Sequence, residues 1–229
     1  MAPLLAIALS CAAFDQAHTA LTALLRRFVH AGAVDYAGLK TSEGDLDSYL
    51  RKLVSVRPEE FERYDRNQQL AFRINAYNAH AIRMILDRYP VSSVRKIGLL
   101  PGAAFRSSFI PLLGGTRSLN EIEGALREAG EPRIHFALVC ASKSCPELSE
   151  EAYRGAILDR QLDEAEQRFL HDRRKNRVEG ETLYLSSIFK WYRDDFARAA
   201  GSLEAYLARS GLRGSRIEFL DYDWSLNGR

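Results

Sequence analysis

Cysteine is scarce in this chain, with three among 229 residues. Two of them, Cys140 and Cys145, are separated by four residues with no second nearby pair, so the remaining ligands of a zinc site are lacking. Charge of one sign is lacking as well: 32 basic residues are matched by 30 acidic ones. The densest basic run, Arg173, Arg174, Lys175 and Arg177, follows a helical pattern and reads as a solvated helix end rather than a phosphate-binding face, so no nucleic-acid partner is expected. After residue 20 there is no apolar run long enough to span a bilayer, and no integral membrane span is expected. There is neither an internal repeat nor a Pro- or Ser-rich linker at which to divide the chain. What remains is 46% hydrophobic and 27% charged, enough to bury the core of one folded domain.

The first residues form a separate case. Residues 4–14, LLAIALSCAAF, are uncharged and apolar, too short for a membrane span, and end in small residues. They read as the hydrophobic segment of a signal peptide over residues 1–13, with a periplasmic or secreted domain from 14 to 229. Only the terminal amine supplies positive charge ahead of it, as in a truncated or misassigned start. A buried N-terminal helix is the plainer alternative. Cys11 after Ser10 admits a lipoprotein, although Ala8 stands where Leu is usual.

Along the chain, helical spacing marks residues 17–29, 46–53, and 67–89, the last closed by Pro90. Its stripe of Leu70, Ile74, Tyr77, Ala81, Ile82 and Ile85 runs beside Asn75 and Asn78. Residues 91–116 read as a long loop, a substrate lid or a connection, with a hairpin near 109–113. Ser118 and Glu121 have capping-box spacing for a helix to about Ala129. The run 133–139 has the length and composition of a central strand, and 149–171 of one long amphipathic helix. A hairpin over 178–185, a helix capped by Ser186 or Ser187 and running through Trp191 and Phe196, a helix over 203–208 and a last strand over 217–220 complete an α+β domain. In it, helices pack around a small mixed or antiparallel sheet.

Reactive side chains concentrate at one place. His135 lies within the expected strand, and Cys140 and Cys145 bracket the loop that leaves it. Pro146 suits the first position of a helical turn, which would make Cys145 its cap and favour the thiolate. The two cysteines have four open readings: a disulfide, a reactive thiol, structural thiols, or metal ligands. A reactive thiol would use Cys145 or Cys140 as nucleophile, His135 as base and Glu123 to orient the imidazole, with Asn75 or Asn78 donating to an oxyanion or substrate. The plainer readings are a buried hydrogen-bonded His135, asparagines that brace loops, and Asp194 and Asp195 solvating or pairing across a helix surface. His18, His30, His80 and His171 fall in separate segments with no ligand spacing. No cofactor and no metal are expected, and the substrate would be a peptide or small molecule carrying an amide or ester.

Five blocks in order add a resemblance: VDY over 34–36, LAFRINAYNA over 70–79, RIHFALVCASKSCP over 133–146, IFKWYRDDF over 188–196 and DYDWSLN over 221–227. From about residue 14 onward the chain resembles the domain-of-unknown-function family 547, DUF547. That resemblance implies an exported protein and a distant relation to papain-like thiol hydrolases, hence a Cys-His site with an acidic orienter at His135, Cys140 and Cys145. Asn75, Tyr77 and Asn78 would be its neighbours. Two positions depart from the family pattern: Arg73 where Trp is usual, and Gly124 where a His often follows the Glu. Were that His the base, His135 would have to replace it or the chain would be inactive. The rival function is a binding or scaffold domain with a Cys140–Cys145 disulfide.

Overall fold

The structure, a computed structural model, describes residues 13–98 and 102–228. The expected export segment therefore lies almost wholly outside the described residues. Helix α1 (Thr19–Phe28) buries Leu21, Leu24, Leu25 and Phe28 along one face. The chain reverses through β1 (Val29–His30) and β2 (Ala33–Val34), an antiparallel pair whose turn uses Ala31 and Gly32 in left-handed conformation. Helices α2 (Tyr36–Thr41), capped by the Asp35 side chain, α3 (Glu43–Ser55) and α4 (Pro58–Phe61), opened by Pro58, lead to the long helix α5 (Arg66–Leu86).

Helix α5 is the axis of the domain. It opens on a full capping box between Asp65 and Gln68. Between residues 70 and 86 only Arg73 and Arg83 are partly exposed. The stripe expected from spacing is thus enclosed on every side, because α3 and α7 (Leu119–Glu128) cover it from different directions. The connection into α7 carries helix α6 (Ala103–Arg106) and a hairpin of β3 (Ile110–Leu112) and β4 (Gly115–Arg117). Ser118 and Glu121 form the capping box their spacing predicts.

The run expected to be a central strand is not one. Pro132–Phe136 is a turn of 3-10 helix with Pro132 in its first turn and the Glu131 side chain accepting from Arg133 N–H. Its apolar residues are buried on all sides, which periodicity cannot distinguish from a covered strand. No neighbouring strand is needed because Asn78 satisfies the backbone itself: its Nδ2 donates to Ala137 O at 2.9 Å and its Oδ1 accepts from Val139 N–H at 2.9 Å.

A second correction falls on residues 149–171. Helix α8 spans only Leu158–His171, preceded by a short 3-10 turn, Gly155–Ile157. The stretch before it is held extended by side chains that take its backbone groups. Thr22 accepts from Ala152 N–H, Asn75 clasps Tyr153 through both N–H and C=O, and Gln161 bridges Arg154 N–H and Ala152 C=O. With those groups occupied, helical bonds cannot form. Gly155 then passes close to α5, where a Cβ would sit 2.8 Å from Gln68 N.

Strands β5 (Arg177–Glu179), β6 (Thr182–Leu185) and β7 (Arg216–Phe219) make a mixed sheet, antiparallel between β5 and β6 and parallel between β6 and β7. The helix expected through Phe196 breaks at Tyr192 into α9 (Ser187–Trp191), capped by Ser186, and α10 (Arg193–Ala200); α11 (Leu203–Ala208) follows. Phe136, Phe169, Phe189 and Phe196 form an aromatic cluster between the sheet side and α8, with Phe189 and Phe196 centroids 5.0 Å apart. The fold is a single α+β domain with small sheets. Among the described residues no helix is long and apolar enough to cross a membrane.

After β7 the tail from 221 to 228 crosses the domain in extended form. Its backbone bonds the loop after the 3-10 turn at four places: Lys143 N–H to Ser225 O, Ser144 N–H to Asp223 O, Asn227 N–H to Ala141 O, and Asp223 N–H to Ser144 Oγ. It also accepts from Val94 N–H through Trp224 O and from Tyr36 O–H through Asn227 Oδ1. The tail and the cysteine loop therefore form one unit.

Candidate functional site

A cavity of about 400 Å³ opens where that unit meets the helices. Its walls are Tyr77 from α5, Phe105 and Arg106 from α6, Asn120 and Glu123 from α7, His135, the cysteine loop, Trp191 and Tyr192 at the end of α9, and Tyr222 and Trp224 from the tail. The volume suits a small ligand or one side chain with its backbone. Trp191, Tyr222 and Trp224 make a continuous aromatic wall, with centroids 4.6 to 5.9 Å apart, and Trp191 is 46% exposed.

The cysteine loop owes its shape to Ala141, whose φ of 65° turns the chain sharply after Cys140, and to a turn in which Cys145 N–H bonds Ser142 O. This folds the second cysteine back onto the first. Cys140 N–H donates to Cys145 Sγ at 2.8 Å, and the two side-chain thiols also hydrogen-bond to each other. Both thiols are free. Cys140 Sγ lies 3.0 Å from Ser142 Oγ and 3.3 Å from the Tyr222 hydroxyl. The hydrogen bond from Cys145, joined by those from Ser142 and Tyr222, outweighs burial and draws the Cys140 thiol down to about 6. Burial, and the neighbouring Cys140 sulfur, push Cys145 well above the ordinary thiol range. The two shifts run in opposite directions, so Cys140 is the sulfur of the pair that favours the thiolate. As residues, Cys140 is half-buried and Cys145 is buried.

His135 stands in the same wall, stacked on Tyr192 with centroids 3.9 Å apart. Its Nε2 lies 2.8 Å from Asp195 Oδ2. Asp195 also accepts from Arg127, at 2.6 Å from Nε and 3.1 Å from Nη2. Burial pulls the imidazole down to about 4, so at neutral pH it is uncharged, and donation from Nε2 to the carboxylate leaves Nδ1 as the acceptor. Burial works against ionised Asp195, but the bonds from Arg127 and His135 prevail and hold its carboxyl below the usual range. Glu123, raised by burial, hydrogen-bonds Tyr192 instead.

Residues 61–170, from the end of α4 to near the end of α8, match the family described as "Protein of unknown function, DUF547". The chain carries a DUF547 segment. No curated protein and no solved structure matches it. The matched DUF547 stretch includes the blocks at 70–79 and 133–146, so it carries α5 and the cysteine loop. The blocks at 34–36, 188–196 and 221–227 fall outside it, a narrower span than the resemblance from residue 14 onward. At the two departures from the family pattern, Arg73 lies over the Phe61 ring at 4.5 Å, and Gly124 faces open space.

Of the site residues expected from sequence, Cys140, Cys145, His135, Glu123 and Tyr77 share this cavity. Asn75 and Asn78 do not serve it. Both are buried, with amides spent on the backbone at 153 and at 137 and 139, so the oxyanion role is replaced by the bracing one. Glu123 is not the orienter, because the carboxylate on the imidazole belongs to Asp195. Cys145 caps no helix, as Pro146 begins none. Among the described residues no hydrogen bond joins His135 to either sulfur; the side-chain partners of Cys140 Sγ are hydroxyls and a thiol.

Sequence reasoning missed Ser142, Tyr192, Asp195 and Tyr222. Asp195 is read from sequence as a helix-surface acid beside Asp194, yet α10 turns it inward to 8% exposure while Asp194 stays outside. In the basic run, Arg174 and Lys175 pair with Asp172, and Arg177 with Glu179. Among the described residues no cluster of His, Cys, Asp and Glu is placed to hold a metal ion.

Proposed function

We propose that this protein is a thiol-dependent acyl hydrolase or transferase acting on an amide or ester, with Cys140 as nucleophile. The observation that carries the reading is the sulfur of a half-buried cysteine, drawn toward the thiolate by hydrogen bonds with Cys145, Ser142 and Tyr222, on the wall of a cavity that also holds an uncharged imidazole fixed by a carboxylate. A thiolate already present needs no base for its attack. Cys140 Sγ would add to the substrate carbonyl and the C–O or C–N bond would break, the leaving group taking a proton from solvent and departing as alcohol or amine, with a thioester left on Cys140. Water would then hydrolyse that thioester, with His135 Nδ1 accepting its proton and Asp195 stabilising the imidazolium formed. A site outside the cytoplasm fits the apolar, uncharged segment at 4–14.

The test is acylation by p-nitrophenyl acetate followed by intact mass and peptide mapping. A single acetyl group on Cys140 is expected, with Cys140→Ser abolishing it and His135→Ala keeping the acetylation but losing turnover. Acetylation elsewhere only, or unchanged turnover in folded Cys140→Ser, would overturn the reading.

A further inference from the structure

The hydrolytic reading leaves Cys145 without a chemical task, although its sulfur hydrogen-bonds the nucleophile. Three features give it one. The loop is already closed: the left-handed turn at Ala141 and the Ser142–Cys145 turn hold the second cysteine against the first, and the tail bonds to Ala141, Lys143 and Ser144 keep it there. Joining these sulfurs would cost little further chain entropy. Access is also unequal. Both residues line the cavity, but Cys140 is half-buried whereas Cys145 is only 4% exposed, with Cys140 as its neighbouring thiol. Finally, the cavity is large enough for a small oxidant, and the Ser142 and Tyr222 hydroxyls that stand 3.0 and 3.3 Å from Cys140 Sγ can donate to an oxygen placed there.

The geometry points to Cys140 as a site of oxidation by hydroperoxides, with Cys145 as the cysteine that resolves it into an intramolecular disulfide. In the first step the Cys140 thiolate attacks the terminal oxygen of R–O–O–H. The O–O bond breaks, a sulfenic acid forms on Cys140, and the alkoxide leaves and takes a proton from solvent as R–OH. Sulfur gives up two electrons and the peroxide receives them. In the second step the Cys145 sulfur attacks Cys140 sulfur, the S–O bond breaks, and the hydroxide leaves with the Cys145 proton as water. The bridge returns to two thiols with an external dithiol as reductant. This inference shares with the proposed function the reactive Cys140 but needs no acyl transfer.

The experiment treats the reduced full chain, in a Cys11→Ser background, with one equivalent of tert-butyl hydroperoxide. Remaining thiols are blocked with iodoacetamide in denaturant before intact mass and peptide mapping. A mass loss of about 2 Da, a Cys140–Cys145 linked peptide and no alkylated cysteine are expected, reversed by dithiothreitol. In Cys145→Ser a sulfenic acid on Cys140 should instead accumulate and react with dimedone. Both thiols still alkylating after peroxide, or dimedone capturing Cys140 in the chain that retains Cys145, would overturn it. The bridging of the chain with both cysteines decides the matter should the variant fail to fold. Bridging without acetylation of Cys140 by p-nitrophenyl acetate would sink the hydrolase reading alone, and acetylation without bridging would sink this inference alone.

Discussion

Cys140 owes its lowered ionisation to what surrounds it. A free thiol ionises near about 8.5, and the Cys145, Ser142 and Tyr222 donors move this one down to about 6. Alkylation of Cys140 by iodoacetamide should therefore rise as pH passes through about 6 and be nearly complete in rate by neutrality, while Cys145 stays unlabelled. Tyr222→Phe removes one of those donors without emptying the cavity wall, so its labelling profile should move to higher pH with the fold intact, as read by mass spectrometry across a pH series. A profile unchanged by that substitution would contradict the role given to the hydroxyl. Asn78 shows the same dependence on surroundings for stability. Replacing it by Ala leaves Ala137 C=O and Val139 N–H buried without partners. Each such group costs about 1–3 kcal/mol, so urea denaturation should show a loss of roughly 2–5 kcal/mol.

At the scale of elements, patterns confined to a few consecutive residues were legible. The capping box at Ser118 and Glu121, the stop of α5 ahead of Pro90 and the hairpin of β5 and β6 all rest on local chemistry. Elements whose backbone is captured from far away were not. Asn75 holds residue 153, and Asn78 holds 137 and 139, so a helix begins late and a strand does not form. The tail from 221 to 228 belongs to this class. Deleting residues 221–229 removes Tyr222 together with the bonds to Ala141, Lys143 and Ser144. The truncated chain should lose the early labelling of Cys140, reverting toward an ordinary thiol. Its Tm should drop by roughly 5 °C or more in differential scanning fluorimetry.

The whole molecule contains three imidazoles, His18, His80 and His135, that burial holds at about 4. In the unfolded chain each titrates near the ordinary 6.5. Between those values the unfolded state binds more protons, so each contributes stability that is complete above about 6.5 and is lost as pH falls toward 4. Depressed Asp195 acts in the same direction, since it too is favoured in its folded, ionised form. Stability measured by urea should be flat above neutrality and fall steeply between pH 6.5 and 4, by on the order of 2–3 kcal/mol per imidazole at most. A flat profile down to pH 4 would show that these rings are solvated.

By itself the amino-acid sequence determined the α+β class, the helices with strong caps and breaks, the likeness of residues 61–170 to DUF547, and that reactive groups crowd residues 135–146. These follow from local propensity, hydrophobic period and short motifs, which act between residues close in the chain. Only the tertiary structure decided that Asp195 holds His135, that Tyr222 and Ser142 act on Cys140, and that the asparagines brace loops. Those contacts join residues up to about 80 positions apart, such as Cys140 and Tyr222. Nothing in the order of side chains along the chain says which of two adjacent aspartates a helix will turn inward; the packing of α10 against the 3-10 turn does.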